Sequence, residues 1–580
     1  MEIKLKEKEI KRIVASLLIL LPALLTFNPA MGQEPRSLDF DEIQVIAPYE
    51  PTISDAFKIN ENPVIDDTLQ VDIHFDYSIF PKKIPTRFEV EPISAARMRG
   101  EPLAKLYRGL VKGGLGTYST PYFEARYNTL RSNEYALGVN LKHLSSSGEI
   151  KDYQHSGYSD NLARVYGKRF FRNHTLDADL NFERNVVHYY GFRRDDFLDQ
   201  PLLLDSIDNL SNQDIRQRFN HFSTGIGFGT HHTDSARLSH QTNLEYNYTG
   251  DRYEADEHQL SFRGNLGREL SADPTGQAKQ QYFSLRLGAD YFSSRTPRDT
   301  AGTGIITIHP RLYSDYDQIR FFVGLDASVQ SDTASYIRFY PQIGGEVDII
   351  DRVLIAHAAL SGGLEKHTLY SMSQTNPFIN TAIPYAFMNR KYEIGGGLKG
   401  SLSNYASYNI SLNSTAIDNY PFFVTDTATA FNNQFTIAYD DIRHFNFRTE
   451  ILSQWGKRLN VRLAGDFFQY SLDEEIEAWH TPTLQLSLNL KYNIQNKIII
   501  TADAFARNST YGKVYDEQGV PRAKEIHGFH VDTNFGIEYR YTRILSVFFN
   551  FYNVQNQPLE RWLNYPSQRF NFMGGVAYSF

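Results

Sequence analysis

The stretch that decides the fold is the last eleven residues of the chain, FNFMGGVAYSF, from Phe570 to Phe580. Taking every second residue places large apolar groups on one face, namely Phe570, Phe572, Val576, Tyr578 and Phe580, with Gly574 between them. The other face carries Asn571, Met573, Gly575, Ala577 and Ser579. A strand with one apolar face and one face of mostly small or polar residues is typical of a barrel that has lipid outside and water inside.

The same two-residue period recurs along the chain. From Thr483 to Asn493, apolar residues alternate with polar ones, as Leu484, Leu486, Leu488, Leu490 and Tyr492 against Gln485, Ser487, Asn489, Lys491 and Asn493. A second alternating run starts at Ile498, and the link Gln495-Asn496-Lys497 predicts a hairpin between the two. Earlier, Asp177, Asp179, Asn181 and Glu183 share one face of a strand. Four such groups need a wet lumen rather than a dry core.

Composition supports this prediction. Aromatic residues make up 14% of the chain, with 37 Tyr and 40 Phe, yet the mean hydropathy is −0.43. Aromatic rings suit the two interfaces of a membrane, while the lumen-facing half of every strand lowers the mean hydropathy.

The predicted connections alternate in length. Short turns such as Trp455–Arg458 and Tyr541–Arg543 separate long loops, which we predict at Tyr190–Gln213, Thr368–Arg390, Ala416–His444, Asn508–Phe529 and Asn556–Ser567. Transmembrane barrels have short periplasmic turns and long outer loops. The sequence therefore predicts an all-β, transmembrane antiparallel β-barrel of the outer-membrane type, with about 22 strands and a short irregular N-terminal segment. A run of soluble β-sandwiches or a large propeller is the alternative.

Three segments are expected along the chain. Residues 1–32 have the basic start, the apolar run and the small-residue site (Ala30-Met31-Gly32) of a signal peptide cleaved near Gln33, with a retained helical anchor as the alternative. Residues 33–105 contain eight prolines and no sustained period, which predicts an extended periplasmic or lumenal segment. Residues 106–580 form the barrel. We therefore expect the chain in the outer membrane of a Gram-negative bacterium after cleavage.

Both ends of the chain also resemble a known family. Asp41-Glu42-Ile43-Gln44-Val45-Ile46-Ala47-Pro48 is similar to the motif near the start of TonB-dependent receptors. Gly113–Tyr118 followed by Tyr122–Leu130 resembles their first two strands, and Phe551–Gln557 with Trp562 and the final strand resembles their last hairpin, especially in the Bacteroidetes type. The resemblance implies that Ile43, Gln44, Val45, Ile46 and Ala47 form an energy-coupling motif, added as a strand to a periplasmic energy-coupling protein. The final strand also resembles the C-terminal signal of bacterial outer-membrane barrels, which implies that Phe572, Val576, Tyr578 and Phe580 form a signal for the outer-membrane assembly machinery.

One feature departs from that family. Its members carry a folded plug of well over a hundred residues between motif and barrel, whereas here only about sixty proline-broken residues separate Pro48 from the first predicted strand. We therefore expect the chain to lack a full plug domain. The motif can then be a coupling strand or a β-prone linker.

Catalytic and cofactor motifs are not apparent in the sequence. His231-His232-Thr233-Asp234 has metal-ligand residue types, but nothing else in the sequence supports a metal site there, and a polar turn is favoured. The glycine runs are not followed by helices, so they do not predict phosphate loops. The net charge of −8 comes without a concentrated basic stretch, which argues against nucleic acid as a partner. We expect no enzyme activity, no cofactor and no metal.

Aromatic residues in the predicted outer loops are the better functional candidates. These are Tyr385, Phe387, Tyr420, Phe422, Phe423, Trp479 and Trp562. Exposed rings on outer loops can hold a ligand or a partner protein, and they can equally form the outer aromatic belt of the membrane. The predicted function is that of an outer-membrane receptor or transporter, TonB-linked, that binds or moves a solute. The alternatives are a structural or accessory barrel that partners another outer-membrane or surface protein, and a passive porin.

Overall fold

The computed structural model describes residues 106–580 except 149, 232–236, 271–279, 333 and 384, together with the backbone of the short strand Glu2–Leu5. The predicted signal peptide beyond that strand, the segment 33–105 and the coupling motif Ile43–Ala47 lie outside the described residues. Within the described ranges, none of the helices is both long and apolar enough to cross a membrane.

In the described part of the chain, 22 strands form one antiparallel sheet in which each strand pairs with the next along the sequence. The strands are β1 Gly109–Gly116, β2 Thr120–Asn128, β3 Tyr135–Ser146, β4 Tyr158–Phe170, β5 His174–His188, β6 Arg216–Thr230, β7 Ser239–Gly250, β8 Asp256–Leu270, β9 Gln280–Arg295, β10 Thr300–Tyr316, β11 Ile319–Ser331, β12 Ser335–Ile350, β13 Leu354–Lys366, β14 Phe387–Ser403, β15 Ala406–Thr425, β16 Phe435–Trp455, β17 Leu459–Leu472, β18 Leu484–Ile494, β19 Ile498–Arg507, β20 His530–Arg540, β21 Leu545–Tyr552 and β22 Asn571–Ser579. Glu2–Leu5 pairs with the start of β12.

The sheet closes on itself because β1 pairs with β22 as well as with β2. The carbonyl of Phe580 accepts hydrogen bonds from the backbone N–H groups of Arg108 (2.7 Å) and Gly109 (2.9 Å). These bonds join the end of the last strand to the start of the first. A closed sheet leaves no unpaired edge for lipid to contact. The predicted fold class and strand number are confirmed.

The alternation predicted from the sequence appears as two faces of the barrel wall. Leu486 and Leu488 are exposed on the outside, while Asn489, between Leu488 and Leu490, donates to the Asp503 carboxylate inside at 2.6 Å. Exposed apolar side chains recur around the ring, among them Leu137, Val165, Leu180, Leu244, Leu260, Val323, Ile343, Leu398, Leu412, Leu463 and Val576. An apolar surface of this extent requires lipid rather than water.

The two ends of the barrel differ. At one end the strands are joined by turns such as Gln495-Asn496, whose positive φ angles of 51° and 56° fit a tight hairpin. Exposed rings surround this end, including Tyr135, Tyr405, Trp455, Tyr492, Tyr539, Tyr541, Tyr578 and Phe580, as expected for an aromatic belt. The longest connections, residues 189–215, 367–386, 508–529 and 553–570, all lie at the other end. We call that end the outer end, following the rule for transmembrane barrels.

One predicted loop is wrong. Ala416–His444 was expected to be a long connection, but β15 runs on to Thr425 and β16 begins at Phe435, so only residues 426–434 lie between the strands. These strands have 20 and 21 residues, whereas a membrane crossing needs about ten. Their outer ends therefore form a hairpin that stands above the membrane. Two short helices, α1 Pro201–Asp208 and α2 Leu369–Thr375, lie in the outer loops.

Candidate functional site

The outer loops fold together over the barrel mouth. We name each loop by the strands it joins and call their assembly, with the outer ends of β15 and β16, the dome: loop 5–6 (189–215), loop 13–14 (367–386), loop 15–16 (426–434), loop 17–18 (473–483), loop 19–20 (508–529) and loop 21–22 (553–570). Loop 5–6 and loop 15–16 are ten strands apart on the ring of 22, almost opposite each other. Yet Asn433 Nδ2 donates to the carbonyl of Tyr189 at 2.8 Å. The loops therefore meet across the mouth.

Aromatic packing holds the dome together. Its largest cluster joins four connections through Tyr190, Met372, Ile379, Phe423, Phe435, Trp562, Leu563 and Tyr565, all buried. Phe378 stacks on Tyr565 with ring centroids 3.7 Å apart, and Phe423 meets Trp562 edge to face at 5.1 Å. Ring pairs in these geometries add about 0.5–1.5 kcal/mol each beyond the effect of burial. Such a cluster makes the dome a folded unit rather than a set of independent loops.

Trp479 and His480 link loop 17–18 to the rest of the dome. Trp479 is 1% exposed and donates from Nε1 to Glu475 at 2.8 Å, and Lys513 of loop 19–20 binds the same carboxylate at 2.8 Å. His480 contacts the carbonyl of Phe423 through Nδ1 (2.9 Å) and accepts the N–H of Leu563 at Nε2 (3.2 Å). Accepting at Nε2 requires a neutral ring, and burial accordingly lowers the pKa of His480 to about 4.

The predicted aromatic candidates lie in this dome, but they are not exposed. Phe422, Phe423, Trp479, Trp562 and Phe387 are buried, and Tyr385 and Tyr420 are partly buried. Phe387 is the first residue of β14, and Tyr420, Phe422 and Phe423 belong to β15 rather than to a loop. The expectation of exposed rings is therefore wrong, because the loops pack on one another instead of facing solvent. A role for these rings in binding stays a prediction.

Loop 13–14 also reaches down into the lumen. Thr368 caps α2 by accepting the N–H of Ser371 at 3.0 Å, which starts the helix at Leu369. The Leu369 N–H then donates to the buried carboxylate of Glu257 on β8 at 3.1 Å. Tyr370 donates to Glu183 on β5 at 3.0 Å and stacks on His221 of β6. The loop is thus fastened to the inner wall of the barrel.

Beneath this loop, the wall holds a chamber of about 970 Å³, lined by residues of β8 to β15. Glycines on the lumen side give room for large side chains. A Cβ at Gly324 would lie 2.6 Å from Cγ of Arg311, and one at Gly344 would collide with the ring of Phe322. A second cavity of about 470 Å³ lies under Tyr370 and shares Gln259 and Arg263 with the chamber. This volume suits a small or chain-like polar solute.

The chamber wall is strongly charged. Its cations are Arg263, Arg286, Arg311, Lys366, Arg390 and Lys399, and its carboxylates are Asp290, Asp326, Glu346, Glu365 and Glu393. Four buried polar atoms of the lining have no hydrogen-bond partner among the described residues: Arg311 Nε, Arg390 Nε, His357 Nδ1 and Asn409 Oδ1. Polar atoms left in this way are matched by water or by a ligand. Across the described ranges, no group of three or more His, Cys, Asp or Glu side chains has a geometry that could hold a metal.

The chamber residues were not predicted from the sequence, although each lies on the polar side of an alternating strand. Arg286 stands between Leu285 and Leu287, and Arg311 between Pro310 and Leu312. That pattern places both side chains in the lumen. The pairing of strands determines which lumen residues become neighbours. Local sequence does not reveal that pairing. Phe572, Val576, Tyr578 and Phe580 lie on or directly after β22, and their role as an assembly signal stays a prediction.

Comparisons with known proteins come from structure rather than sequence. No protein-family model matches the chain, and no curated protein matches it either. Among solved structures, the siderophore receptor PirA from Acinetobacter baumannii matches with a TM-score of 0.63 and 8% identity, over 83% of this chain and 81% of that one. The pyoverdine outer membrane receptor FpvA from Pseudomonas aeruginosa PAO1 gives 0.62 and 10%, over 82% and 79%.

A third match is the ferric-catecholate import receptor Fiu from E. coli K12, with a TM-score of 0.60 and 10% identity, over 82% of each chain. Identities this low show the fold alone. The chain has the fold of the 22-strand barrels of outer-membrane receptors.

Proposed function

We propose that this chain is an outer-membrane receptor or transporter of a Gram-negative bacterium that binds a solute and moves it across the outer membrane. The observation that carries the proposal is the closed 22-strand barrel, apolar outside and charged inside, with a chamber below its outer loops. Solved receptors of this fold are siderophore receptors by name. An interior of this kind is suited to hold a polar solute away from lipid.

The proposal includes energy coupling through the N-terminal segment. Cleavage near Gln33 would leave Ile43–Ala47 close to the start of the mature chain, where an extended segment can add as a strand to a periplasmic energy-coupling protein. The segment 33–105 is too short to form a full plug. The dome therefore contributes to closing the barrel. A wide passive pore is disfavoured, because the outer loops meet across the mouth.

Site-specific photo-crosslinking from positions 43 to 47 tests the coupling. We expect one periplasmic partner to be captured, and Val45→Pro to abolish both capture and solute uptake, since proline removes a backbone donor and restricts the residue before it. Val45→Thr keeps the donor and the β-propensity and serves as the control. The hypothesis of energy coupling would be contradicted if no partner is captured and the Val45→Pro variant still takes up the solute.

A second function, that of a structural or accessory barrel, is favoured by one observation: the outer loops pack into one buried aromatic cluster over the mouth. A barrel that only docks on another outer-membrane or surface protein has no need of an opening mouth. A stoichiometric partner in protein purified from native membranes, together with unchanged function of Val45→Pro, would favour this role over transport.

A further inference from the structure

Three arginines lie side by side on the inner wall, on consecutive strands of the chamber. Arg263 of β8 pairs with Gly288 of β9, so it is diagonal to Arg286, two residues along β9. Arg286 in turn pairs with His309 of β10 and is diagonal to Arg311. Diagonal neighbours in a sheet are roughly 7–8 Å apart, within reach of long side chains. We call Arg263, Arg286 and Arg311 the arginine stripe.

Only one member of the stripe is neutralised. Arg263 donates to Asp290 at 2.8 Å. Arg286 makes no hydrogen bond or ion pair with any described residue of the wall, and its side chain is exposed to the lumen. Arg311 reaches only the neutral side chain of Gln342, at a long 3.4 Å, and lies against the ring of Phe322. Its buried Nε has no partner among the described residues.

The carboxylates of the chamber are already engaged elsewhere. Asp326, which is diagonal to Arg311, holds His309 at 3.2 Å and accepts from Ser328 at 3.0 Å. Glu346 binds Arg320 and Lys399, and Glu393 binds Arg390. The remaining carboxylate, Glu365, is near the outer end of β13, three strands away from β10. Positive charge therefore stays in excess at Arg286 and Arg311.

We propose that the arginine stripe binds an organic polyanion, a solute that carries at least two carboxylate or phosphate groups. Adjacent guanidinium groups without carboxylate partners offer two forks of N–H donors, which match the oxygen pairs of such groups. Arg390 Nε, His357 Nδ1 and Asn409 Oδ1 provide further unused polar atoms for the rest of the solute. This inference deepens the proposed function by naming the class of solute.

Binding to the purified full-length protein in detergent tests the stripe, because both ends of the barrel then face solution and no energy coupling is needed. The probes are tripolyphosphate and tricarballylate, with neutral maltotriose for comparison, measured by calorimetry at fixed ionic strength. We expect at least one polyanion to bind and maltotriose not to bind. The double variant Arg286→Gln/Arg311→Gln is expected to weaken polyanion binding by at least tenfold.

Arg462→Gln is the matched control, since it removes one lumen cation, paired with Glu450, from the far side of the barrel. Its affinity should stay within about twofold of the original protein. Equal affinity of all three proteins, equal loss in Arg462→Gln, or no polyanion binding at all would overturn the inference. Heat-modifiable mobility verifies that each variant is folded. The crosslinking result at positions 43–47 is independent of this measurement, so the two proposals can fail separately.

Discussion

On β18, successive residues alternate between side chains that face lipid and side chains that face water. Leu486 and Leu488 face outwards, and Ser487 between them faces the lumen. We expect Leu486→Arg and Leu488→Arg each to lower stability in the membrane by about 2–4 kcal/mol, because arginine near mid-membrane is costly. Ser487→Arg should be mild. The measurement is the fraction of heat-modifiable barrel formed in lipid vesicles, and equal damage at all three positions would contradict the register.

His480 is one of the buried histidines that make the dome sensitive to acid, together with His367 of loop 13–14. The pKa of His480 is about 4 in the folded dome, against about 6.5 when exposed, because burial disfavours the charged ring. The opened state thus binds more protons between these two values. The contribution of His480 to the stability of the dome is full above about pH 6.5 and falls as the pH drops towards 4, by about 3 kcal/mol in total.

Urea titrations followed by tryptophan fluorescence can measure this effect. Trp479 and Trp562 lie in the dome and Trp455 at the opposite end, so a Trp455→Phe background reports on the dome alone. We expect the urea concentration at the midpoint of dome unfolding to decrease when the pH is lowered from 7 to 4.5. Adding His480→Gln should make the dependence shallower, since glutamine does not titrate, while His367 still contributes. A pH dependence that survives unchanged in His480→Gln would show that other groups cause it.

Among the elements, β22 closes the ring. It pairs with both β21 and β1, and Phe580 binds the backbone at Arg108 and Gly109. We expect deletion of Phe580, or Phe580→Asp, to lower the amount of heat-modifiable barrel in the outer membrane and to increase degradation of unassembled chain. Tyr578→Asp should behave similarly, whereas Ser579→Ala, on the lumen side, should not. Normal surface levels of the Phe580 deletion would refute its role in assembly.

Elements in the membrane could be predicted from sequence, while elements of the dome could not. β18 and β19 have lipid on one side and water on the other, so their residues alternate. In β15, Phe422 and Val424 pack against the Trp479 cluster, and Phe423 between them packs against the Trp562 cluster. With both faces buried, the two-residue period disappears, and Asp418-Asn419 with Pro421 resembles a turn. The predicted loop Ala416–His444 was wrong for this physical reason.

For the molecule as a whole, the dome and the chamber below it define one compartment. Opposite loops meet over the mouth, and α2 fastens loop 13–14 to Glu257 and Glu183 on the wall. Sequence predicted the loops and the lumen separately. It could not predict their contact, because Tyr189 and Asn433 are 244 residues apart in the chain and meet only once the ring has closed. Passage of a solute from outside therefore requires loop 13–14 or its neighbours to move.

Conductance in planar bilayers tests most directly the claim that the outer loops close the barrel. Three purified proteins are compared: the original chain, a variant in which a Gly-Ser linker replaces residues 369–383, and a variant lacking residues 50–100. We expect low conductance for the original chain, a several-fold rise on removal of the loop segment and a smaller rise on removal of the N-terminal segment. A large pore in the N-terminal deletion alone, with no change on removal of the loop segment, would contradict the account and make the N-terminal segment a reduced plug.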